Sequence, residues 1–579
     1  MFFLAPKGPS INDLTAFRQL PPEAFSSFAQ ELRQELLCYL DQSGGHLASN
    51  LGCVELTMAL HWVFDSPHDR IFFDTGHQAY VHKLLTGRRG QFSTLRKKGG
   101  LAPFPHHEES PHDPFCPGHG GTALSTAMGC AWAHQLLGKS QQVIAVLGDA
   151  ALNSGMTLEA FNQLSETTLN LLVIINDNGY SISRTVGGPH FWKSALDRFN
   201  VYREPLDGHD TCALIERLRH AASLPGPRLL WLQTQKGKGY LPAELDPVAY
   251  HSVAPGFLKT GKQSLEKPST ISSLSFTAAF SRWVEETASV VPHLAVICPA
   301  MTESSGLRSF ALAYPERFYD TGMAEQHALG LAAGLAAQGW LPIVAIYSTF
   351  LQRAFDQIIH DLALPGLKVI LAIDRAGIVG PDGPTHAGIF DLAVLRMIPG
   401  ITVMLPADEH ELRGMFNLAL TLGLCAIRYP KADCLPSVGL NFSAVERGKA
   451  SLVRKGKQVA LVTSGSLVET ALAVGNQLDA SVVSLRFAVP LDVAFLKDLF
   501  AEHNLLIVVE ETPLSGGLGE AILAVLNPLP KGKRVVLKGL SPQFPTTGTR
   551  EEILSDLGLD QQGIQQFVEE QQKLKEVKL

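Results

Sequence analysis

The stretch 141–180 contains two apolar runs joined by a segment with helical spacing. The first run, 143–147, ends at Gly148 and Asp149, and the second, 171–175, is followed closely by Asn178. A strand–helix–strand unit of this kind places its two strands parallel and near each other. The stretch therefore predicts an α/β fold with mostly parallel sheets. The helix is indicated by apolar residues that recur on one helical face, namely Met156, Ala160, Phe161 and Leu164.

Asp149 and Asn178 are predicted to lie at the carboxyl ends of these strands, where open α/β sheets bind ligands. A carboxylate and an amide oxygen suit Mg²⁺, and a helix starting near Ala151 would direct N–H groups at a phosphate. Ordinary turn residues are the alternative for both side chains. The separation of 178 − 149 = 29 residues resembles the diphosphate–metal motif of thiamine diphosphate enzymes. Ala150 stands where the third residue of that motif is glycine.

Composition excludes several classes of protein. A chain of 579 residues is too long for one core, so three or four domains are expected. The net charge of −7 argues against a nucleic-acid-binding surface. Eight scattered cysteines without a Cys-x-x-Cys pair indicate reduced thiols in a cytoplasmic protein. No signal peptide is evident, and the uncharged stretch 328–350 is expected to form a buried helix and a buried strand rather than a membrane span.

Histidines in glycine-rich loops are the candidate site residues of the first block. His46, which precedes Ser49, and His77 each follow a glycine, where the backbone can approach a ligand closely. A hydrogen-bonded core histidine is the alternative for either one. The sequence Gly118-His119-Gly120 comes before a predicted helix at 123–137 and offers N–H groups to a second part of a diphosphate.

Two further patterns in this block are set aside. The segment 106–112 holds three histidines, but the spacing of these histidines is not that of metal ligands on a helix. The neighbouring prolines also indicate an irregular loop. The segment 235–240 lacks the first glycine and the Ser or Thr of a P-loop. Neither is therefore assigned a site.

The second block, which begins near Phe276, places polar side chains at the ends of predicted strands. Glu325 opens a helix, where a capping or dipole role is the alternative to chemistry. The loop 375–386 gathers Arg, Asp and His among glycines and prolines, which suits a substrate pocket. Arg375 and Arg428 would clamp a carboxylate or phosphate, with surface ion pairs as the alternative. A third α/β block, from about Gly439, shows no chemistry of its own.

Long segments of the chain follow the pattern of one family almost from end to end. They include residues 45–49, 347–353, 374–380 and 548–552. On these segments the chain resembles the 1-deoxy-D-xylulose-5-phosphate synthase family of transketolase-like thiamine diphosphate enzymes. The resemblance implies a diphosphate- and metal-binding domain at 1–262, a pyrimidine-binding domain at 274–434 and a C-terminal transketolase-type domain at 440–579. It also implies a homodimer whose active site lies between the first two domains of one subunit.

The resemblance implies an activity and a role for each matching residue. The activity is the decarboxylative condensation of pyruvate with D-glyceraldehyde 3-phosphate. Glu325 would hydrogen-bond the pyrimidine ring, on which Phe350 would stack, and Asp149, Asn178 and the backbone oxygen of Tyr180 would hold Mg²⁺. Other cofactor contacts are implied for His77, Gly118, His119, Gly120, Ala150, Ala151 and Tyr240. Substrate contacts are implied for His46 and His386, which would also transfer protons, and for Ser49, Tyr347, Arg353, Arg375, Asp382 and Arg428.

Three departures from the family pattern leave alternatives open. Ala150 replaces a glycine, Gly120 and Gly121 replace serines, and the connector 187–204 is short. A shorter connector would alter closure over the site. One alternative is a transketolase-like paralogue with another donor or acceptor. The other is a non-catalytic regulatory homologue, although the presence of Glu325 and Asp149 argues against it.

Overall fold

The structure is a computed structural model that describes residues 11, 13–182, 185, 199–201, 205–260, 274–434 and 444–574. The chain divides into two units. Residues 1–267 and 322–324 form the first, and residues 268–321 and 325–579 form the second. Most of the connector 187–204 lies outside the described residues.

Short strands form the centre of the first unit, in a main parallel sheet and a separate antiparallel pair made by the first and the last of them. They are β1 (Gly45–His46), β2 (Arg70–Phe73), β3 (Val143–Gly148), β4 (Leu171–Asp177), β5 (Asn200–Val201), β6 (Leu206–Asp207), β7 (Arg228–Gln233) and β8 (Ser252–Val253). The main sheet has the order β2-β3-β4-β7-β5, with β6 beside β7, and all of these pairs are parallel. Gly148 lies opposite Asn176. The prediction that the two apolar runs are parallel neighbours is therefore confirmed.

Both faces of this sheet are buried, which explains why its strands read as continuous apolar runs. Along β3, Ile144 and Val146 join one hydrophobic core, whereas Val143, Ala145 and Leu147 join the core on the opposite face. Each such side chain contributes roughly 1.5–3 kcal/mol when it leaves water.

Helices cover the two faces of the first sheet. They are Leu14–Phe17, Phe25–Ser43, Ala48–Gly52, Val54–Val63, Tyr80–Lys83, Ala123–Leu136, Gly155–Leu164, Thr211–Ser223, Leu241–Leu245 and Phe257–Thr260. The helix Phe25–Ser43 packs through one apolar face, on which Phe25, Phe28, Leu32 and Leu36 are buried.

The helix predicted to start near Ala151 begins later than expected. A 3₁₀ turn spans Asp149–Asn153, and Ser154 then adopts an extended backbone (φ −76°, ψ 129°) before the α-helix begins at Gly155. The prediction was wrong because this break cannot be recognised from apolar spacing. Met156 is 38 % exposed and does not belong to the buried face as expected.

Two sheets form the centre of the second unit. Their strands are β9 (Leu294–Cys298), β10 (Phe318–Asp320), β11 (Leu341–Tyr347), β12 (Ile370–Asp374), β13 (Thr402–Met404), β14 (Cys425–Arg428), β15 (Ser451–Arg454), β16 (Val459–Thr463), β17 (Ser481–Ser484), β18 (Phe487–Val489), β19 (Leu505–Pro513) and β20 (Arg534–Leu540). The orders are β10-β9-β11-β12-β14-β13-β18 and β15-β17-β16-β19-β20. Among the described strands of these two sheets, only the edge strands β18 and β15 pair in the antiparallel direction.

The helices of the second unit alternate with these strands. They are Phe276–Val290, Arg308–Ala313, Glu325–Ala337, Ser348–Leu351, Phe355–Gln357, Asp391–Met397, Glu409–Ala419, Leu467–Leu478, Val493–Glu502, Leu518–Leu526, Arg550–Asp556 and Gln561–Lys573. The uncharged stretch 328–350 is a helix followed by β11, as predicted. Within the described parts of the chain, every helix is too short or too polar to span a membrane.

Candidate active site

Asp149 is a buried carboxylate at the carboxyl edge of the first sheet. It follows β3, is 4 % exposed, and accepts a hydrogen bond from the Thr185 hydroxyl at 2.6 Å. Burial raises its pKa to about 6. Among the described residues, no side-chain cation lies within salt-bridge distance of it, and an unpaired buried carboxylate is costly. A bound cation would relieve that cost.

The loop after β4 brings further oxygen atoms to the same edge. The Asn178 side-chain oxygen accepts the Tyr180 backbone N–H at 3.0 Å. The Nζ atom of Lys236 donates to the Ser181 carbonyl and lies 5.8 Å from the centre of the Tyr180 ring. A carboxylate, an amide oxygen and backbone carbonyls form a donor set that fits Mg²⁺.

Lys236 is a functional candidate that the sequence interpretation missed. It is 3 % exposed, and burial lowers its pKa to about 7 against the opposing effect of Asp149. Its segment was compared only with a P-loop, so the lysine itself received no role. The signal available in the sequence was its position three residues after the end of β7, the neighbour of β4 in the sheet.

The glycine-rich loop 118–121 is tied to the end of β2. The two carboxylate oxygens of Asp74 accept the N–H groups of Gly121 at 2.8 Å and Ala123 at 3.1 Å, at the start of the helix Ala123–Leu136. Gly118, His119 and Gly120 therefore lie in the loop that leads into this helix start, and the N-terminus of a helix favours a phosphate.

Three histidines pack together in the first unit. The ring centres of His46 and His77 are 5.6 Å apart, and His251 lies 5.4 Å from His46 and 5.7 Å from His77. Burial lowers the pKa of His77 to about 3 and that of His251 well below its usual value, so both are neutral near pH 7. Within the described residues, the Nδ1 atoms of His77 and His251 have no hydrogen-bond partner. They are available to a ligand.

His251 was not predicted. It reaches His46 because β8 pairs antiparallel with β1, with His46 opposite Ser252. No local pattern in the sequence indicates a pairing between segments so far apart. Ser49, which was predicted, is buried in the helix Ala48–Gly52 that follows His46.

The remaining predicted cofactor residues of the first unit have ordinary packing. Ala150 and Ala151 lie in the 3₁₀ turn after β3, 9 % and 1 % exposed. The Tyr240 ring packs edge-on against Tyr250 at 5.7 Å and Phe257 at 6.2 Å.

Glu325 is a buried acid in the second unit. It is the first residue of the helix Glu325–Ala337 and is 5 % exposed. Its Oε2 atom lies 3.6 Å from Nη1 of Arg353. Burial raises the pKa of Glu325 despite this guanidinium. A carboxyl group with a raised pKa can hold a proton and exchange it with a ligand.

An aromatic cluster lies at the ends of β11 and β12. The Tyr347 and Phe350 rings are stacked at 5.5 Å, and His386 packs edge-on to Phe350 at 5.6 Å. The Arg375 guanidinium lies 3.9 Å from the centre of the Tyr347 ring. The structure therefore brings together four of the predicted residues of this unit. Asp382 lies in the same loop as His386, 3.5 Å from Lys431.

Arg428 forms a buried ion pair with Asp391. Its Nε atom donates to both carboxylate oxygens of Asp391, at 3.0 and 2.8 Å, and both side chains are buried. It also lines a cavity of about 40 Å³ beside Glu510 and Glu511. Its charge is already neutralised, which weighs against a role in binding substrate phosphate.

Curated relatives match this chain over almost its whole length. The 1-deoxy-D-xylulose-5-phosphate synthase of Thioalkalivibrio sulfidiphilus is 45 % identical over 94 % of this chain and 92 % of its own. The proteins of the same name from Pseudomonas savastanoi and Nitrosomonas europaea are each 43 % identical, over 96 % of this chain and 95 % and 97 % of their own. The chain belongs to the 1-deoxy-D-xylulose-5-phosphate synthase family. The family is one of transketolase-class transferases.

Sequence models of three protein families match successive regions of the chain. The model of the 1-deoxy-D-xylulose-5-phosphate synthase family matches residues 9–204. The transketolase pyrimidine-binding domain matches residues 272–435, and the transketolase C-terminal domain matches residues 448–564. Together with the mostly parallel sheets, they establish the transketolase-like α/β fold predicted from the sequence.

The local structure explains why position 121 favours glycine. Gly121 has φ +79°, and a Cβ atom there would lie 2.3 Å from Oγ of Ser154. A serine at this position would therefore be strained in this chain. Ser154 is the residue that interrupts the helix before Gly155.

We expect Gly121→Ser to destabilise the protein. The left-handed backbone costs about 1–2 kcal/mol for a residue with a Cβ, and the contact with Ser154 adds to it. The midpoint of thermal unfolding measures the effect. Gly138→Ser is the matched control, because Gly138 has φ +64° and open space around its Cβ position. Equal losses in the two variants would contradict the role given to Ser154.

Proposed function

We propose that this protein catalyses the thiamine diphosphate- and Mg²⁺-dependent condensation of pyruvate with D-glyceraldehyde 3-phosphate to 1-deoxy-D-xylulose 5-phosphate and CO₂. The observation that carries the proposal is the buried carboxylate of Asp149, which has no cationic partner within salt-bridge distance among the described side chains and lies at the carboxyl edge of β3, next to β4 and the Asn178 loop. Family membership at up to 45 % identity supports the substrates.

The residues of the first unit fit a metal-bound diphosphate. Asp149, the Asn178 side chain and the Tyr180 carbonyl would hold the Mg²⁺ ion. The loop 118–120 and the turn carrying Ala150 and Ala151 would present N–H groups to the phosphate oxygens. The cofactor supplies the carbanion that reacts with pyruvate and then with the aldehyde. The protein binds, orients and protects it.

Neutral histidines suit the chemistry of the donor substrate. With low pKa values, His77 and His251 accept or donate one hydrogen bond each without adding positive charge. His46 packs on both rings and would handle pyruvate and exchange a proton with it, together with Ser49. His251 joins the predicted set on the basis of this packing.

The second unit supplies an acid and an acceptor site. Glu325 would hydrogen-bond the pyrimidine ring and hold the proton that the ring exchanges. Phe350 would stack on that ring. Arg375 offers a cation for a phosphate group, and His386 a group for proton transfer. Tyr347, Arg353, Asp382 and Arg428 complete the proposed substrate contacts.

The remaining parts of the proposal concern organisation. We propose a homodimer in the cytoplasm, with domains at 1–262, 274–434 and 440–579. All eight cysteines are free of disulfides, which supports a reducing compartment. The matched regions 272–435 and 448–564 support the second and third domains. Light scattering of the purified chain would test the dimer.

Product formation tests the activity. Pyruvate and D-glyceraldehyde 3-phosphate are supplied with thiamine diphosphate and Mg²⁺, each added or withheld. The five-carbon deoxyketose phosphate and CO₂ are expected only when both are present. Turnover with a ketose phosphate donor instead of pyruvate would favour a transketolase-like paralogue. Absence of both product and cofactor binding would favour the non-catalytic alternative.

We expect Lys236→Met to weaken binding of the Mg²⁺–thiamine diphosphate pair by about tenfold or more. The variant removes the buried amino group that donates to the Ser181 carbonyl, and loss of a hydrogen bond to a charged group costs about 1.5–3 kcal/mol. Calorimetric titration of the apoprotein measures the affinity. Lys238→Met is the control, because that lysine only approaches Gln235 at 3.5 Å. Unchanged affinity in Lys236→Met would contradict the assignment.

A further inference from the structure

The segment 105–117 forms a loop whose inner side is firmly held. The His106 carbonyl accepts the N–H groups of Glu109 at 2.9 Å and Ser110 at 3.3 Å, which closes a tight turn. Asp113 is buried and paired with His82 at 2.7 Å and with Arg88 at 2.6 Å. The turn after His106 and the buried ion pairs of Asp113 therefore hold the middle of this segment in place.

Two histidines and a cysteine meet on the outer side of this loop. The side-chain ligand atoms of His106, His107 and Cys116 all lie within 4.8 Å of one another. The His107 Nδ1 atom is 2.8 Å from the Cys116 sulfur, and the two imidazole rings are stacked at 5.2 Å. Within the described residues, this is the only cluster of at least three His, Cys, Asp or Glu side chains whose ligand atoms lie this close together.

The ligand chemistry selects a borderline metal. Imidazole nitrogen and thiolate are the usual ligands of Zn²⁺, at about 2.0–2.1 Å and 2.3 Å. Those bond lengths place tetrahedral ligand atoms about 3.5 Å apart, a separation that small side-chain rotations supply here. Mg²⁺ prefers oxygen ligands, so the cluster differs in kind from the Asp149 site.

Neighbouring groups do not compete for the three ligands. His112, the third histidine of the segment, bonds the Ser66 hydroxyl at 2.9 Å instead. His82 and Asp113 satisfy each other in the interior. His107 is exposed and the other two are half-buried, so water can fill a fourth position on the metal.

The cluster lies beside the loops assigned to the cofactor. A Cβ at Gly76 would lie 2.7 Å from Cδ of Pro105 and 2.6 Å from Cγ of Pro117. These two prolines therefore pack on Gly76, next to His77. Pro117 also leads directly into Gly118. A metal that joins the ends of this segment would fix both loops.

We propose that His106, His107 and Cys116 bind one Zn²⁺ ion that cross-links the two ends of the segment 105–117. The sequence interpretation assigned no metal here because the prolines indicate an irregular loop and the histidine spacing is not that of metal ligands on a helix. The third ligand is Cys116, and the chain reverses direction between it and the histidines. The proposal of this zinc site does not depend on the proposed catalytic activity.

Zinc stoichiometry of the intact protein tests this proposal. Metal-stripped full-length protein is equilibrated with Zn²⁺ in excess Mg²⁺, desalted, and its zinc measured by mass spectrometry. One ion per chain is expected. Co²⁺ in place of Zn²⁺ should show a thiolate-to-metal absorption band. Less than half an equivalent of zinc, or displacement by Mg²⁺, would overturn the proposal.

Variants assign the ligands. Cys116→Ser and His107→Gln should each lower zinc affinity by more than about a hundredfold, beyond the 10–100-fold typical of outer-shell changes, and Cys116→Ser should abolish the cobalt band. Cys212→Ser is the matched control, because Cys212 is an exposed free cysteine, and it should retain both. His107 is exposed, so its replacement leaves folding intact. Retention of zinc by the Cys116 and His107 variants would refute the assignment.

Discussion

Replacing Glu325 by alanine is expected to leave a folded protein whose turnover falls by about 10²–10⁴-fold, the range of general acid–base catalysis. Glu325 is buried with a raised pKa, which is the environment of an acid that exchanges a proton rather than of a helix cap. The rate of product formation at saturating cofactor measures the loss, and circular dichroism checks the fold.

A control variant at another glutamate in the first turn of a helix distinguishes a loss of catalysis from a loss of helix stability. Glu551 occupies the first turn of the helix Arg550–Asp556 and is exposed. Glu551→Gln removes the same favourable interaction with the helix N-terminus, worth about 0.3–1 kcal/mol, and should retain full turnover. Near-normal turnover in Glu325→Ala would show that its carboxylate is only a capping group.

Arg486→Met is expected to lower the free energy of unfolding by about 3–5 kcal/mol, the cost of leaving one partner of a buried ion pair alone. The Nε atom of Arg486 lies 2.5 Å from Oε1 of Glu411, and both side chains are fully buried. Urea unfolding monitored in the second unit, or the thermal midpoint of the intact chain, measures the loss.

The paired variant Arg486→Met with Glu411→Leu is the control, because replacing both charges by apolar groups is often neutral or stabilising. Burial already raises the pKa of Glu411, and loss of the guanidinium raises it further. A carboxyl group whose pKa is higher in the folded than in the unfolded protein costs no stability below the unfolded-state pKa of about 4.3. As the pH rises from that value through the folded-state pKa, the free energy of unfolding falls. The deficit of Arg486→Met should therefore grow as the pH rises from acid to neutral. A deficit independent of pH would contradict the buried-charge explanation.

Most of the fold was predictable because its strands are buried on both faces. The apolar runs now seen in β3 and β4 were located from the sequence pattern alone. The parallel pairing of β3 with β4 followed from their connection by a helix. The start of the helix at Gly155 was not predictable, because it depends on the backbone angles of Ser154.

The candidate site was predictable where one short segment carries the chemistry. Asp149, Asn178 and Glu325 stand at strand or helix ends that the sequence marks. Lys236 and His251 were missed, because their importance arises from contacts with segments far away in the chain. A single lysine or histidine carries no signal of that kind.

The pairing of β1 with β8 also links the stabilities of two distant segments. The N–H groups of Leu47 and Ala48 bond the carbonyls of His251 and Tyr250, each at 3.0 Å. These amides can exchange with solvent only when the later segment detaches. The hydrogen-exchange rate at Leu47 and Ala48 thus reports how often residues 250–253 open. The packing of the His251 ring against His46 and His77 persists only while residues 250–253 remain paired with β1.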